Sequence, residues 1–354
     1  MKTAFITGIT GQDGSYLAEF LLKKDYKVVG MYRRSSVNTF ERINGFTNHE
    51  NLFLVEGDIT DSHSIFNLIS TYKPDECYNL CAQSHVHTSF EQPIYTTQVN
   101  YLGVVHLLEA VKRHSPSTKL LHCSTSEMFG SQYDMDADGT KYQSEQTRFE
   151  ANSPYTCSKI ASHYLMKIYK DSYGLFICTP LMFNHESARR GENFVTRKIT
   201  KYIAQLNKLL NRPVLKRRYK DDRIVRYDEE KLVVDGTAVF PKLRLGNIDA
   251  VRDWSHAKDM IRGMWMMLQQ PNPKDYVLCS GVGRTVREFL TEAFKCIGIT
   301  NWEKCVFIDP VFFRPCEVEF LQGRYDLAKA ELGWNPEYTF EELVKEMVES
   351  DIKS

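Results

Sequence analysis

The sequence predicts an α/β fold in which a doubly wound parallel sheet is joined to a smaller α/β domain. Three observations predict it. Short apolar strand-like runs alternate with amphipathic helical runs through the first half of the chain. A glycine-spaced turn links the first strand to the first helix. The alternation then stops near residue 180, and a second half of mixed helices and short extended pieces follows.

The elements follow in order. "KTAFITG" is a short apolar strand and "SYLAEFLLKKD" an amphipathic helix. "KVVGMYRR", "NLFLVEGDI" and "ECYNLCA" read as the second, third and fourth strands. "YLGVVHLLEAVKRH" is a helix, "KLLHCSTS" the fifth strand and "LFICTPLMF" the sixth. Strands this apolar are expected in a parallel sheet covered by helices on both faces. In the second half, "NFVTRKITKYIAQLNKLL", "HAKDMIRGMWMMLQQ" and "TVREFLTEAFKCIG" read as helices. There is no linker, low-complexity segment or repeat, so the second half is expected to pack on the first and form a cleft with it.

Composition narrows the class. The chain has 354 residues, 42% apolar and 25% charged, with a formal net charge of zero. That is an ordinary globular balance, with no basic bias toward nucleic acid and no acidic tail. Of nine cysteines, only Cys77 and Cys81 are closely spaced, and the second cluster that a zinc site needs is missing. No metal is expected. The cysteines are expected to be reduced and mostly buried, as in the cytoplasm. The chain enters a strand at once, without a charged and then apolar leader, and no apolar run approaches the ~18 residues of a membrane span.

The turn "TGITGQDG" spaces Gly8, Gly11 and Gly14 three apart between a strand and a helix. Glycines there permit a tight turn and let backbone amides approach a pyrophosphate at the helix N-terminus, which makes the first half a Rossmann-type unit. At the end of the second strand an NAD site usually carries Asp or Glu. Here the sequence is "MYRRSS", with Arg33 and Arg34. Guanidinium groups suit a phosphate monoester, so NADP is the expected cofactor; a solvated basic turn is the alternative. Asp58 in "EGDIT" is placed to meet the adenine, although Asp is also common at strand ends.

"NSPYTCSK" sets Tyr155 four residues before Lys159 at the start of a helix, with Asn152 or Ser153 as its cap and Pro154 in its first turn. Ile160, Tyr164, Lys167 and Ile168 continue the helical spacing. Residues four apart share a face, so phenol and ammonium address one point. A nearby cation favours the phenolate over its ordinary pKa near ~10. A core tyrosine beside a solvated lysine is the plain alternative. In "STSEMFG", at the end of the fifth strand, Thr125 reaches the same place and Glu127 lies two residues on. A simple dehydrogenase needs no extra carboxylate. An enzyme that also removes a proton beside a new ketone does. A helix-cap or loop role is the alternative for Glu127.

The glycine turn, "STSEMFG" and the Tyr155–Lys159 pair together resemble the extended short-chain dehydrogenase/reductase superfamily. Longer stretches are similar to the GDP-mannose 4,6-dehydratase family: "TGITGQDGSYLAEFLL", "RRSS", "NTFERI", "YNLCAQSHVHTSFEQP", "LMFNHESARRGENFVTRKIT", "LGNIDAVRDWSHAKDMIRGMWMMLQ" and "FFRPCEVEFLQG". They cover nearly the whole chain in family order. The resemblance implies an NADP-dependent lyase that converts GDP-D-mannose to GDP-4-dehydro-6-deoxy-D-mannose and water, toward GDP-fucose or GDP-rhamnose. It implies Thr125, Glu127, Tyr155 and Lys159 as the catalytic set. It implies a cofactor site of Gly8, Gly11, Gln12, Asp13, Gly14, Arg33, Arg34, Ser35, Asp58, Ile59, Leu80, Ser84, Tyr155, Lys159, His185 and Arg190. For GDP-mannose it implies Ser84, Asn184, Asn193, Val195, Lys198, Arg252, Arg314 and Glu317.

By the same resemblance, residues 1–180 form the NADP-binding domain, with some later segments returning to it. Residues 181–354 mainly bind the GDP-sugar. The expected assembly is a homodimer or homotetramer, in which a neighbour's arginine loop lies beside the cofactor phosphate. Some related dehydratases also reduce their own ketone slowly, so a side reductase activity stays open. The rival readings are an epimerase or reductase of the same superfamily, and an NADP-sensing protein without catalysis. Glu127 with Thr125 argues against the first, and the intact four-residue set against the second.

Three stretches depart from the family pattern. An insertion near 208–241 carries Lys216, Arg217 and Arg218. In it, "RIVRYDEEKLVV" and "DGTAVF" read as two strands with a turn near Asp235-Gly236, expected to flank the GDP site or an oligomer edge. The loop "SQYDMDADGTKYQSEQTRFEA" is longer than usual, and "LQGR" puts Arg324 where aspartate is expected.

Overall fold

The computed structural model describes residues 1–211, 224–226, 228–234, 236, 238–313 and 316–354. Its centre is a parallel sheet of β1 (Thr3–Thr7), β2 (Lys27–Tyr32), β3 (Leu52–Glu56), β4 (Glu76–Asn79), β5 (Lys119–His122) and β6 (Ile177–Cys178). Their order is β3-β2-β1-β4-β5-β6. The order reverses between β1 and β4, and the crevice outside that switch point is where doubly wound sheets bind ligands.

Helices cover both faces. α1 (Gln12–Leu22) follows β1, α2 (Ser62–Tyr72) follows β3, α3 (Gly103–His114) precedes β5, and α4 (Pro154–Tyr173) precedes β6. One apolar core joins Ile6, Leu17, Leu21 and Val28 to Met260, Met264 and Trp334 from the far end of the chain. The opposite core joins Phe5, Val29 and Ile69 to Leu107, Leu120 and Met166.

The start of α4 is fixed locally. Ser153 accepts from Thr156 N at 3.1 Å and Thr156 Oγ1 accepts from Ser153 N at 2.9 Å, a reciprocal cap. Pro154 sits at the first turn, and Gly174 ends the helix at φ 66°. The stripe of Tyr164 and Ile168 faces outward, whereas Lys159, Ser162, Met166 and Tyr169 face inward. The sixth strand also differs from expectation. "LFICTPLMF" breaks at Thr179-Pro180 into Ile177–Cys178 and Leu181–Met182, because proline has no N–H for a ladder. The second piece pairs instead with Val277–Leu278.

The second half is built on α5 (Val195–Leu210), α6 (Ala257–Leu268), α7 (Val286–Lys295) and α8 (Phe340–Lys353). α6 packs on α1, whereas α5, α7 and α8 enclose a separate core with Ile203, Phe289, Phe294 and Val344. A mixed sheet sets β7 (Asn184–Glu186) parallel to β8 (Val251–His256) and β8 antiparallel to Gly283–Thr285. The described part of the insertion forms three strands where two were expected: Ile224–Arg226, Lys231–Val234 and Ala238–Pro241. Asp228 makes the extra turn by accepting from Glu230 N and Lys231 N. Leu232 and Val234 pack into the α5–α7 core. Lys216, Arg217, Arg218 and Asp235 lie outside the described residues.

The long loop after β5 contains a hairpin, Asp134–Met135 with Lys141–Tyr142. Arg324 closes over it, pairing with both Asp136 oxygens and stacking 3.3 Å from the Tyr142 ring centroid. An arginine at this position therefore latches the loop to the second half.

Candidate active site

A cavity of about 610 Å³ opens at the C-terminal ends of β1, β4 and β5 and continues under the second half. Its floor is the glycine turn. Gly8 adopts φ +71°, and a Cβ on Gly14 would lie 2.2 Å from Gly8 O. Both positions therefore require glycine. Gly11 N-caps α1 without a side-chain cap, which leaves amides of the first turn for an outside acceptor. Bare amides at a helix N-terminus, in a cradle that a Cβ would fill, fit the diphosphate of a dinucleotide.

Gln12, Asp13, Leu80, Ser84, His185 and Arg190 join the three glycines in the cavity wall. Thr7 holds the β4 end in place, its hydroxyl accepting from Leu80 N at 3.0 Å and Cys81 N at 3.1 Å. His185 reaches Asp13 at 2.9 Å, and Arg190 pairs with Glu186 at 3.0 Å. Five expected cofactor residues stand apart from this wall. Arg33, Arg34 and Ser35 occupy the exposed segment after β2, where Arg33 donates to Tyr95 OH at 2.7 Å. Asp58 accepts from Thr60, and Ile59 is buried against Gly103 of α3.

Thr125, Glu127, Tyr155 and Lys159 meet in the same cavity, each no more than 9% exposed. Thr125 caps a short 3-10 turn, its hydroxyl accepting from Glu127 N at 3.3 Å; this ties the glutamate to the strand end. Burial pushes the Tyr155 phenol well above its ordinary range, opposed by a hydrogen bond with Thr125. Burial pulls the Lys159 ammonium down to about 8. Its Nζ donates to Cys123 O at 2.8 Å. Burial thus drives apart two groups whose ordinary proton affinities nearly coincide, keeping the phenol protonated and easing loss of the ammonium proton, contrary to the lowering of the phenol expected from the i,i+4 pair.

The other end of the cavity comes from the second half. Asn184, Asn193, Val195, Lys198, Arg252 and Glu317 line it. Asn184 Oδ1 is buried with no hydrogen-bond partner among the described residues, as expected of a group that awaits a ligand. Arg252 and Glu317 pair at 3.2 Å. Lys198 lies 5.0 Å from the centroid of the Phe312 ring. Arg314 lies outside the described residues. Sequence reading missed Arg42, Arg244 and Phe312, which also line the cavity. Arg42 donates to Arg189 O at 2.7 Å and Thr10 O at 3.2 Å; Arg244 pairs with Asp309. Arg42 falls in "NTFERI" and Arg244 precedes "LGNIDA", so the signal was adjacency to distinctive stretches.

Residues 5–220 and 234–347 match the family described as GDP-mannose 4,6 dehydratase. The chain belongs to that family. Its relatives include GDP-mannose 4,6 dehydratase 2 of Arabidopsis thaliana, 44% identical over 99% of this chain and 87% of that protein. GDP-mannose 4,6-dehydratase of Vibrio cholerae serotype O1 is 40% identical over 99% of this chain and 94% of its own. Among solved structures, DesIV, a dTDP-glucose 4,6-dehydratase from Streptomyces venezuelae with NAD and TYD bound, superposes with a TM-score of 0.80. It is 21% identical over 99% of this chain and 97% of that one. RMD from Pseudomonas aeruginosa, complexed with NADPH, gives 0.74 at 20% identity over the full length of both chains. The last two likenesses concern the fold.

Proposed function

We propose that this protein is a GDP-mannose 4,6-dehydratase, a lyase that converts GDP-D-mannose to GDP-4-dehydro-6-deoxy-D-mannose and water. The observation that carries the reading is the shielded carboxylate of Glu127 beside Thr125 and Tyr155 in one cavity. Redox at carbon 4 alone would need only the tyrosine. The product is the shared precursor of GDP-fucose and GDP-rhamnose.

A nicotinamide dinucleotide, when bound, supplies acceptance of a hydride from carbon 4 and its later return to carbon 6. The glycine turn, Gln12, Leu80, Ser84 and Arg190 would hold it, with Lys159 at its ribose. Tyr155 takes the proton of the carbon-4 hydroxyl, aided by the Lys159 cation and oriented by Thr125. The resulting ketone acidifies the neighbouring carbon-5 hydrogen, which Glu127 removes as a general base. Glu127 passes that proton to the carbon-6 hydroxyl, which leaves as water, and the proton held by Tyr155 balances the one that carbon 5 regains. The buried walls keep bulk water from the reactive intermediate. Asn184, Asn193, Val195, Lys198, Arg252 and Glu317 are assigned to the nucleotide-sugar, where the cations face its diphosphate.

The cofactor we infer is NADP, because β2 ends in Tyr32 and then Arg33, Arg34 and Ser35, with no carboxylate for a free ribose hydroxyl. Asp58 and Ile59 are assigned to the adenine end. The dinucleotide unit is residues 1–180 with α6 returning to it, and residues 181–354 mainly form the sugar-nucleotide unit. A homo-oligomer is favoured by the outward face of α4, where Tyr164 and Ile168 are 52% and 54% exposed. Free cysteines throughout support a reducing, cytoplasmic setting.

The deciding experiment mixes purified protein with GDP-mannose, with and without added NADP, and measures product mass alongside Glu127→Gln. Loss of one water by the native protein and a drop of about 10²–10⁴-fold in the variant is the expected result. No water loss with NADP supplied refutes the dehydratase reading.

A further inference from the structure

His185 lies 2.9 Å from Asp13 through Nε2 and 2.8 Å from the Phe183 carbonyl through Nδ1. A carbonyl has no proton to give, so Nδ1 carries one. The Asp13 carboxylate also takes Gln12 Nε2 at 3.1 Å on its other oxygen. With its carboxyl held below the ordinary carboxylate range, Asp13 is ionised at neutral pH and only accepts, so Nε2 carries a proton as well. An imidazole with protons on both nitrogens is a cation. Asp13 sits in the first turn of α1, within the glycine turn, and both side chains line the cavity.

We infer that His185 is held as an imidazolium that neutralises Asp13 at the glycine turn, so that binding of an anionic dinucleotide there depends on this one proton. This rests on the reading of the glycine turn as the dinucleotide site. Without the proton, an unbalanced carboxylate would face the diphosphate at the helix N-terminus that should attract it. The charges around the pair are few. Arg190 faces both members and opposes the protonation of His185, but it is itself paired with Glu186 at 3.0 Å. The Cys123 thiol at the end of β5 faces Asp13, and burial keeps it protonated. Burial also works against the imidazolium; the Asp13 charge outweighs it and raises the His185 pKa above the ordinary value, while His185 holds the Asp13 carboxyl below its own.

The test measures NADPH affinity by fluorescence from pH 7 to 9.5, above the titration of the cofactor's own phosphate near ~6. Lys159 titrates in the same window, so the result is read as the difference between native protein and Asp13→Asn. Native affinity should fall about three- to tenfold more across the range than that of Asp13→Asn, which has no charge to expose. His185→Gln should bind at pH 7 as weakly as the native protein does at high pH. In ¹⁵N-histidine-labelled native protein at pH 7, the resonances lost in His185→Gln should both lie in the imidazolium range. Parallel pH curves for native and Asp13→Asn, or one unprotonated ring nitrogen, overturn the inference. Absence of NADPH binding at every pH overturns instead the dinucleotide reading beneath it.

Discussion

The Lys159 ammonium donates to the Cys123 carbonyl at 2.8 Å, across 36 positions of sequence. The bond anchors the α4 lysine to the end of β5, one residue beyond the strand, and so sets the height of Tyr155 one turn away. Burial makes the same ammonium easy to deprotonate, at about 8.

A pH dependence follows. On the proposed mechanism the Lys159 cation assists Tyr155; it is complete well below pH 8 and lost as pH rises through about 8. The kcat/KM of GDP-mannose dehydration should therefore decline above about 8, since that ratio reports groups of the free enzyme. Lys159→Met should lower the rate by about 10²-fold or more and lose this alkaline limb. A steady-state pH–rate series on both proteins checks it; an unchanged limb in the variant excludes Lys159 as its source.

Arg252 and Glu317 are held at 3.2 Å in the far wall, with Arg252 Nη1 also donating to Val251 O at 2.8 Å. Arg252→Met should raise KM for GDP-mannose about 30-fold or more, while kcat changes less, because a buried charge partner is worth about 2–5 kcal/mol. Initial-rate kinetics separate the two parameters. A purely structural role would instead lower Tm and leave the KM of the folded fraction unchanged.

Arg33 and Arg34 project from the exposed end of β2. Replacing both with alanine should weaken NADP binding about 10–100-fold and leave NAD binding within about twofold, since only NADP carries the monoester that guanidinium groups recognise. Calorimetric titration with each cofactor reads this directly. Equal losses for both cofactors would place the arginines elsewhere in binding.

On α4, Tyr164 and Ile168 form an outward apolar stripe one turn apart. Tyr164→Glu with Ile168→Glu should shift the protein to a smaller species in light scattering, because charge opposes burial of that face. A native protein that is already monomeric would remove the homo-oligomer reading.

The site's legibility in sequence followed the range of its contacts. The strand–glycine turn–helix unit, the Ser153 cap and the shared face of Tyr155 and Lys159 are local, each set within a few residues, and the structure has them as the pattern required. Thr125 and Glu127 are likewise joined through one turn. Burial direction was less legible. The spacing of Tyr164 and Ile168 marked a helix, but the inward face carries Lys159 and Ser162, which apolar periodicity does not weigh. Pro180 was visible in "LFICTPLMF", yet the run's length masked the break it imposes.

What the sequence determined by itself was therefore the parallel-sheet class, the strand–glycine turn–helix unit, the helix that carries Tyr155 and Lys159 and, through its distinctive stretches, the family. Strand–helix alternation, backbone sterics at the glycine turn and i,i+4 geometry suffice in turn for the first three. Only tertiary structure decided that His185 meets Asp13 across 172 positions, that Arg252 meets Glu317 across 65, and that Arg324 latches Asp136 across 188. Such pairs depend on where chain crossovers deliver each segment. No local propensity encodes that delivery, because the free energy that selects it comes from burying whole faces against one another.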